Sequence, residues 1–434
     1  MRIFDLIEKK KHNIALTDGE IAYLVKGYMS GEIEDYQMSA FLMACWFHKL
    51  TRKETTALTL AMAHSGEMTN LHDVAGIKAD KHSTGGVGDK ITLILVPIMA
   101  SLGIKMAKTS GRGLGYTGGT IDKLQSIDGL NVQLSQEAFI EALDKIGMVI
   151  SSQSGNLAPA DKKIYALRDV TALVDDRALI ASSIMSKKLA AGADIIVLDV
   201  KCGSGAFMKD MHSAQHLARL LVDIGKDANR QTSAVITDMN VPLGRAVGNA
   251  LEIKEAVSCL KGEMPQDIEQ VVLALGTQIL LMSQKAANEE EAVSMIREEI
   301  ESLRAFDKFC AFVAHQNGDV AQVKDSTLLP RAAVERRIYA PKQGYICGYD
   351  CEMVGKAALA AGAGREKKED DIDHGAGVYL EKVYGDKVDK DQWVATVYAS
   401  GESKADQAAQ LLQASLEISQ KQPEKRMMIK EIIH

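Results

Sequence analysis

Two glycine-rich turns constrain this chain more than any other feature of its sequence: residues 83–88 (STGGVG) and residues 110–119 (SGRGLGYTGG). Because glycine has no Cβ, successive main-chain N–H groups in such turns can converge on one anion. A helix that follows the turn adds the positive end of its dipole. In or beside the turns lie the hydroxyl and cationic side chains of Ser83, Thr84, Ser110, Thr117, Thr120, Lys81, Lys108 and Arg112. The sequence therefore predicts one phosphate group held between two loops.

The familiar nucleotide-binding motifs do not fit these turns. The first turn, with the sequence GGVGDKIT, lacks the Walker spacing, and the second, GRGLGYTGG, lacks the dinucleotide-binding pattern. A plain tight turn is the alternative for any single glycine-rich segment, but two segments that carry so many hydroxyl and cationic groups favour phosphate. The pattern disfavours a nucleotide triphosphatase and a dehydrogenase.

Length and composition limit the protein class. The 434 residues suffice for two or three domains with a large core, and a net charge of −7 argues against a nucleic-acid partner. The apolar run 91–100 contains Pro97 and falls short of the roughly 20 residues of a membrane span, and the first residues lack a signal-peptide core. The 6 scattered cysteines indicate reduced thiols. We therefore expect a cytoplasmic protein without a nucleic-acid or membrane partner.

The order of local patterns predicts an α/β fold with an added helical domain. Residues 1–70 have the pattern of packed helices, two of which open with capping boxes formed by Thr17 with Glu20 and Thr51 with Glu54. Strands then alternate with helices, and the candidate strands are 77–81, 104–108, 148–151, 195–200 and 234–239. Such alternation predicts a mainly parallel central sheet, with ligands at the carboxyl ends of its strands, where both glycine-rich turns fall.

An inserted pair of helices carries an unusual polar pattern. Asp161, Tyr165 and Arg168 share one face of the first helix, and Ser183 and Lys187 are i, i+4 neighbours on the second. Two interpretations stay open from this spacing alone. The stripes are either solvated surface faces or a site that faces the phosphate loops across a cleft.

The rest of the chain continues the helical pattern and then changes. Helices are expected over 244–261 and 265–284, whereas short runs between glycines predict a small C-terminal α+β unit with a helix over about 405–420. The predicted division is a helical domain from 1–70 and 160–192, an α/β domain from 71–159 and 193–336, and a C-terminal unit from 337–434.

Three long motifs, KHSTGGVGD, SGRGLGYTGGTIDK and LAPADKKIYALRDVTALV, are similar to those of the thymidine and pyrimidine-nucleoside phosphorylase family, and the resemblance extends along the chain. It implies a small helical domain built from two segments, a large α/β domain, and a homodimer formed through the helical domain. It also implies a pentosyltransferase of nucleoside salvage without an organic cofactor. Phosphate attacks C1′ of uridine, deoxyuridine or thymidine and releases the free base and (deoxy)ribose 1-phosphate.

The same resemblance assigns the site residues. Those placed on phosphate are Lys81, His82, Ser83, Thr92, Lys108, Thr109, Ser110 and Thr120, and those placed on the nucleoside are Lys108, Tyr165, Arg168, Ser183 and Lys187. The catalytic set is Arg168 and Lys187, which would stabilise the departing pyrimidine anion, together with Tyr116. Strand geometry points His82 away from its neighbours, so that it is expected to orient the loop. Lys108 resembles the broad-specificity enzymes, because the thymidine-specific ones have methionine there.

A potassium site is a further implication of the resemblance. Broad-specificity relatives hold the ion through residues that correspond to Gly88, Lys90, Leu243, Ala246 and Glu255. Relatives commonly have a hydroxyl residue at position 90. If the main-chain carbonyl of Lys90 is the ligand, the potassium site is retained, whereas an ammonium turned inward displaces the ion.

The clearest departure from the family pattern is Tyr116, since relatives typically have histidine at this position. A tyrosine with an unperturbed pKa of about 10, against about 6.5 for histidine, does not readily become a cationic acid. We therefore expect Arg168 and Lys187 to carry more of the charge stabilisation, and the larger ring to alter sugar or base preference. Gln125 also replaces a usual glutamate.

Two other functions compete with phosphorolysis. An anthranilate-type phosphoribosyltransferase would bind a pyrophosphate with magnesium and could use Asp169, Asp175 and Asp176, so a magnesium requirement identifies it. A non-catalytic nucleoside-binding protein would release no free uracil from uridine and phosphate. The long motifs favour the phosphorylase over both.

Overall fold

The helices and strands begin and end close to the local signals of the sequence. The structure is a computed structural model that describes residues 1–113, 116, 118–153, 155–365, 367 and 370–434. Both predicted capping boxes are present, since Thr17 Oγ1 accepts the Glu20 N–H at 3.3 Å and Thr51 Oγ1 accepts the Glu54 N–H at 3.2 Å. These bonds satisfy main-chain donors that the first turn of a helix leaves unpaired.

In chain order, the helices are α1 (Ile3–Lys11), α2 (Asp18–Ser30), α3 (Asp35–His48), α4 (Arg52–Ala63), α5 (Ile91–Ser101), α6 (Thr120–Leu124), α7 (Gln136–Ile146), α8 (Pro159–Val170), α9 (Arg177–Ala190), α10 (Met211–Asp227), α11 (Asn249–Leu260), α12 (Gln266–Met282), α13 (Glu289–Glu301), α14 (Arg304–His315), α15 (Val320–Lys324), α16 (Cys351–Ala358) and α17 (Glu402–Ser415). The strands are β1 (Lys78–Ser83), β2 (Lys105–Ser110), β3 (Met148–Ser152), β4 (Ile195–Cys202), β5 (Gln231–Asp238), β6 (Ala246–Val247), β7 (Val334–Tyr339), β8 (Gly344–Tyr349), β9 (Gly377–Leu380), β10 (Lys387–Val388), β11 (Trp393–Ala399), β12 (Leu416–Ser419) and β13 (Ile429–Ile433).

The helical domain is built from two separate segments of the chain, as the sequence predicted. Helices α1 to α4 enclose a core to which α8 adds Ile164 and the start of α9 adds Leu179. Further along α9, Met185 and Leu189 pack instead in the core beneath β4 and β5. Because one helix contributes to both cores, it joins the helical domain to the large domain.

The large domain contains a six-stranded sheet in the order β13-β5-β4-β1-β2-β3. The pairs among β1 to β5 are parallel, and β13 runs antiparallel to β5. The mainly parallel sheet is therefore confirmed. The apolar run 91–100 forms α5, a helix buried on all sides, which explains its hydrophobicity. Among the described residues, none of the helices combines the length and apolarity that crossing a lipid bilayer requires.

The C-terminal unit forms two small antiparallel sheets, β10-β8-β12 and β6-β9-β11-β7, the second of which includes β6 of the large domain, and α16 and α17 pack against them. Two predicted helix boundaries are wrong for the same physical reason. The helix predicted over 405–420 ends at Ser415 because its last residues form β12, which pairs with β8. The helix predicted over 244–261 begins at Asn249 because two earlier residues form β6, which pairs with β9. Tertiary pairing outweighs local propensity here.

Candidate functional site

The carboxyl ends of β1 and β2, and of β4 on the other side of β1, bring the predicted phosphate residues together. Lys81, His82 and Ser83 end β1, and Lys108, Thr109 and Ser110 end the neighbouring β2. Thr92 lies in the first turn of α5 and Thr120 opens α6, the two helices that follow the glycine-rich turns. This edge of the sheet therefore presents side chains and helix N-termini of the kind that bind anions.

Hydrogen bonds between side-chain hydroxyls and main-chain N–H groups fix the shape of the first turn. Ser83 Oγ accepts the Gly85 N–H at 3.1 Å, and Gly85 has a φ of 95°, a left-handed conformation that favours glycine. Thr84 Oγ1 accepts the Lys201 N–H of β4 at 2.9 Å. The turn is therefore held against the end of the neighbouring strand, where the Thr84 N–H also donates to Asp199 O at 3.0 Å.

Three buried donors at this edge form no hydrogen bond within the part of the chain that the structure describes: Lys81 Nζ, Thr109 Oγ1 and Lys201 Nζ. Lys81 has ion pairs only, since its Nζ lies 3.3 Å from Asp199 Oδ2 and 3.9 Å from Asp89 Oδ1. Burial would raise the pKa of Asp89, but the charges of Lys201 and Lys81 lower it well below its usual range. Buried donors without acceptors are costly, so an anion bound here would stabilise them.

Sequence reasoning missed three charged residues of this site: Lys188, Lys201 and Asp80. Lys188 Nζ donates to Asp80 Oδ2 at 2.8 Å and to Thr109 O at 3.1 Å. Lys201 Nζ lies 2.7 Å from Asp199 Oδ2. A signal existed for Lys201, because it follows a predicted strand and so falls at the ligand-binding edge. Asp80 and Lys188 are adjacent in sequence to assigned residues but carried no signal of their own.

The amine of Lys108 lies in a strongly cationic environment. Its Nζ donates to Thr109 O at 2.9 Å and is 3.6 Å from Asp80 Oδ1. Burial lowers the pKa of Lys108 to about 7, Asp80 opposes this shift, and Lys188 and Lys81 add to it. Lys108 is therefore protonated mainly below neutral pH.

A pH-dependent affinity for anions is the expected result. Sulfate does not titrate near neutrality, whereas phosphate does, so we use sulfate inhibition against phosphate as the measurement. Its inhibition constant should rise as pH passes upward through about 7, because Lys108 then loses its charge. In Lys108→Met the inhibition constant should stay flat over this range. The same pH step in this variant, at constant ionic strength, would assign the titration to another group.

His82 is close enough to lysines of both the predicted phosphate and base sets for their charges to act on its ring. Burial lowers its pKa well below the usual value, and the charges of Lys188, Lys108, Lys81 and Lys187 lower it further. The imidazole is therefore neutral at physiological pH. A neutral ring can donate or accept a hydrogen bond here without adding to the repulsion among the lysines.

The predicted base-binding residues come together on α8 and α9. The Lys187 ammonium pairs with Asp161 and donates to Ser183 Oγ at 3.1 Å. The Arg168 guanidinium lies 5.6 Å from the centre of the Tyr165 ring. Because Arg168 and Asp161 are buried, the polar stripes are not solvated surface faces.

Arg168 is held by carbonyl groups of the loop between the two helices and of the first turn of α9. Its Nε donates to Leu173 O at 3.0 Å, its Nη1 to Leu179 O at 3.1 Å and its Nη2 to Val174 O at 2.7 Å. A guanidinium has five N–H donors, so these three bonds leave others for a ligand. Burial lowers the pKa of Arg168, against the charges of Asp161 and Asp176, but an arginine still stays protonated.

Tyr116 packs against the C-terminal unit. A Cβ added to Gly355 of α16 would lie 2.7 Å from Cδ2 of the Tyr116 ring, so that only glycine leaves room for it. Burial raises the pKa of Tyr116, and the nearby Glu352 raises it further. The hydroxyl is therefore neutral, and the grouping of Tyr116 with Arg168 and Lys187 in one catalytic set stays a prediction. Thr117 lies outside the described residues.

The residues predicted to hold potassium already bind a cation, the ammonium group of Lys90. Its Nζ donates to Leu243 O at 2.8 Å, to Ala246 O at 2.9 Å and to Glu255 Oε2 at 2.5 Å. A Cβ on Gly88 would lie 2.6 Å from Leu243 O, which shows how closely the turn approaches these oxygens. Of the two alternatives for position 90, the structure has the ammonium turned inward. The five residues therefore do not fit a potassium ion.

One acid that the phosphoribosyltransferase alternative would need has a structural partner instead. Asp176 Oδ1 accepts the Leu179 N–H at 3.1 Å and caps α9, and its other carboxylate oxygen lies 3.2 Å from Lys49 Nζ. These contacts hold the carboxylate at a helix N-terminus, where its charge is stabilising. The same contacts account for Asp176 without a metal ion.

Comparisons with known proteins cover nearly the whole chain. Residues 4–66 match the glycosyl transferase family helical bundle domain, 75–306 the glycosyl transferase family a/b domain, and 345–419 the pyrimidine nucleoside phosphorylase C-terminal domain. The chain is 49% identical over 419 residues to the pyrimidine-nucleoside phosphorylase of Geobacillus stearothermophilus and 48% identical to that of Staphylococcus aureus strain bovine RF122 / ET3-1, with 96% of both chains covered in each comparison.

A similar solved structure is more distant. It is a crystal structure of anthranilate phosphoribosyltransferase from Thermus thermophilus, with a TM-score of 0.59 and 18% sequence identity. The similarity covers 72% of this chain and 99% of the other. At this identity the two proteins share a fold, and the similarity carries no argument about the reaction.

Proposed function

Because the chain belongs to the pyrimidine-nucleoside phosphorylase family, we propose that it catalyses the phosphorolysis of pyrimidine nucleosides. Inorganic phosphate attacks C1′, the glycosidic bond breaks, and the products are the free base and (deoxy)ribose 1-phosphate. The observation that carries the proposal is the buried Lys81 ammonium, which forms ion pairs but no hydrogen bond among the described residues. A phosphate oxygen at the end of β1 would be its acceptor.

The phosphate residues on the large domain position the nucleophile. Lys81 and Thr109 supply donors without a hydrogen bond among the described residues, and the N-terminus of α5 supplies the positive end of its dipole. Ser83, Thr92, Ser110 and Thr120 add hydroxyls around the same edge. Holding phosphate behind C1′ makes the displacement effectively unimolecular. Organic cofactors are not needed for this step.

The helical domain carries the groups that would receive the departing base. As the glycosidic bond breaks, negative charge develops on the pyrimidine carbonyl oxygens, and we propose that Lys187 and Arg168 stabilise it. Asp161 and Ser183 hold the Lys187 ammonium, while loop carbonyls hold the guanidinium. Such preorganised donors stabilise the transition state without reorganising during the reaction.

We propose that the chain forms a homodimer through its helical domain. Large hydrophobic side chains are exposed on α1 and α3: Phe4 by 63%, Tyr36 by 73% and Phe47 by 71%. Exposed apolar surface of this kind is typical of protein interfaces.

We also propose a cytoplasmic location for this salvage enzyme. The six cysteines are all unpaired thiols, and a reducing compartment keeps thiols in this state.

The test of the proposed function is the release of free base. Uridine, deoxyuridine and thymidine are each incubated with the protein and phosphate, and the ultraviolet absorbance change at alkaline pH reports the base. Broad specificity is expected, since Lys108 replaces the methionine of the thymidine-specific enzymes. Omitting phosphate should abolish the release. Binding of uridine without any release would favour the non-catalytic alternative.

Replacing Tyr116 with histidine tests the role of this departure from the family pattern. We expect the variant to change the ratio of kcat/KM among uridine, deoxyuridine and thymidine, because a smaller ring that can become cationic replaces a neutral phenol. The measurement is side-by-side kinetics on the three nucleosides. Tyr116→Phe is the matched control, which keeps the ring against Gly355 but removes the hydroxyl. Unchanged rates and preferences in Tyr116→His would remove Tyr116 from the catalytic set.

A further inference from the structure

The ammonium group of Lys90 lies in a cage of oxygens between the first glycine-rich turn and α11. Two acceptors are main-chain carbonyls, Leu243 O and Ala246 O, and the third is the carboxylate of Glu255. The Lys90 side chain is fully buried. Burial would lower its pKa, but the charges of Glu255 and Glu252 raise the pKa above its usual value. The group in the cage is therefore a cation.

The oxygens of the cage are fixed by the main chain around them. The Glu255 carboxylate accepts the Arg245 N–H at 2.7 Å and the Ala246 N–H at 2.9 Å. Gly244 allows this close approach, because a Cβ there would lie 2.8 Å from both carboxylate oxygens. Neutral carbonyls around a single negative charge are the type of donor set that suits a monovalent cation.

A second lysine, Lys123, binds the main chain of Asp89, the residue before Lys90, in a similar way. Lys123 Nζ donates to Asp89 O at 2.6 Å and lies 2.6 Å from Glu252 Oε2. Glu252 and Glu255 are one turn apart on α11, so this helix holds two buried lysine–glutamate pairs. The two ammonium groups together fix the segment that follows the first turn. The side chain of Asp89 in turn lies 3.9 Å from the predicted phosphate residue Lys81.

We propose that the Lys90 side chain is a built-in monovalent cation, which positions the first turn for phosphate binding and makes the protein independent of added potassium. Lys90 is a positioning residue, since its ammonium contacts the oxygens of the cage, while its neighbour Asp89 lies near Lys81. The inference goes beyond the proposed function, and only its activity readout rests on that function. The melting temperature gives a readout that does not depend on turnover.

The decisive variant is Lys90→Thr, which removes the ammonium and leaves room for an ion. A cavity of about 960 Å³ reaches Gly244 and Glu255, so hydrated ions can approach the cage. In choline chloride we expect the KM for phosphate to rise about 10- to 100-fold, as losses of supporting contacts around bound ions commonly do. Potassium chloride or ammonium chloride at equal ionic strength should restore the KM and raise the melting temperature of the variant.

Three comparisons separate ion binding from a general salt effect. Wild-type protein should show the same KM and melting temperature in choline and potassium salts. Lys90→Met should be impaired in both, because its side chain fills the cage without a charge. Lys105→Thr is the matched control, since Lys105 Nζ also donates to main-chain carbonyls, Leu143 O at 3.2 Å and Asp144 O at 2.6 Å, without a buried carboxylate. The KM for phosphate and the melting temperature of Lys105→Thr should be the same in choline chloride and potassium chloride.

Several results would overturn the proposal. Potassium-dependent phosphate binding or melting of the wild-type protein would show that the ammonium does not replace the ion. Full activity of Lys90→Thr in choline chloride would show that the cage needs no cation. If potassium chloride restored the KM of Lys90→Met as much as that of Lys90→Thr, the restoration would be a general salt effect. If Lys90→Thr does not fold in either salt, the melting temperature of the wild-type protein decides the question. If the protein has no phosphorolytic activity, the proposed function fails, but the melting temperatures of the wild type and Lys90→Thr in the two salts still test the cage.

Discussion

Replacing Lys187 with methionine is expected to lower kcat/KM for uridine by about 10²- to 10³-fold, the range found when one preorganised donor is removed from an active site. The variant removes the ammonium that Asp161 and Ser183 hold, and with it the charge proposed to stabilise the departing base. The loss should be smaller for 5-fluorouridine, because fluorine stabilises the base anion and reduces the need for an external charge. Steady-state kinetics on both nucleosides measure the difference.

Lys163→Met is the matched control for this variant. It removes the same charge from the same pair of helices, but Lys163 Nζ donates to Tyr28 O within the helical domain, at 2.6 Å. Its kcat/KM should stay close to that of the wild type. An equal loss for uridine and 5-fluorouridine in Lys187→Met would point to damaged structure rather than lost charge stabilisation. A Lys187→Met protein with wild-type turnover would exclude the proposed role.

Replacing Lys81 with methionine is expected to raise the KM for phosphate and to lower kcat/KM by a similar factor, about 10²- to 10³-fold. The fold should tolerate the change, because Lys201 Nζ remains 2.7 Å from Asp199 Oδ2 and neutralises the carboxylate that Lys81 leaves. Phosphate should also stabilise the wild-type protein against heat but not the variant, since ligand binding raises the melting temperature.

The control for Lys81 is Lys78→Met on the same strand. Lys78 begins β1, at the opposite edge of the sheet, and its Nζ pairs with Asp194 at 3.2 Å. Phosphate binding and turnover should change little in this variant. Protection of Lys81→Met by phosphate to the wild-type extent would place the anion elsewhere. The phosphate site proposed at the end of β1 would then have to be abandoned.

Local signals in the sequence predicted most of the architecture. Capping boxes at Thr17 and Thr51 located two helices, and short β-branched runs located the parallel strands, because these signals act within a few residues. The two glycine-rich turns and the polar stripes likewise identified residues that the structure brings to one sheet edge and one helix pair. These predictions needed no knowledge of distant pairing.

Features that depend on distant contacts were not predictable in the same way. Residues 416–419 have a helical neighbourhood in sequence but form β12 because β8 is available to pair with them. Asp80 and Lys188 are 108 positions apart, so only the folded chain shows their ion pair. The sequence also left open whether Lys90 turns its ammonium or its carbonyl inward. The acceptors that decide this come from a separate segment, 243–255.

The antiparallel strand β13 has a consequence for biosynthesis. It pairs with β5 across almost two hundred intervening residues, so that Ile433 lies opposite Ala234 at the margin of the large sheet. During translation, the helical bundle can form early, whereas that margin stays uncovered until the C-terminal unit has been made. Unpaired sheet margins promote association between chains. The solubility of the nascent chain therefore depends on the synthesis of β13, and ribosome stalling before residue 429 should leave an aggregation-prone intermediate.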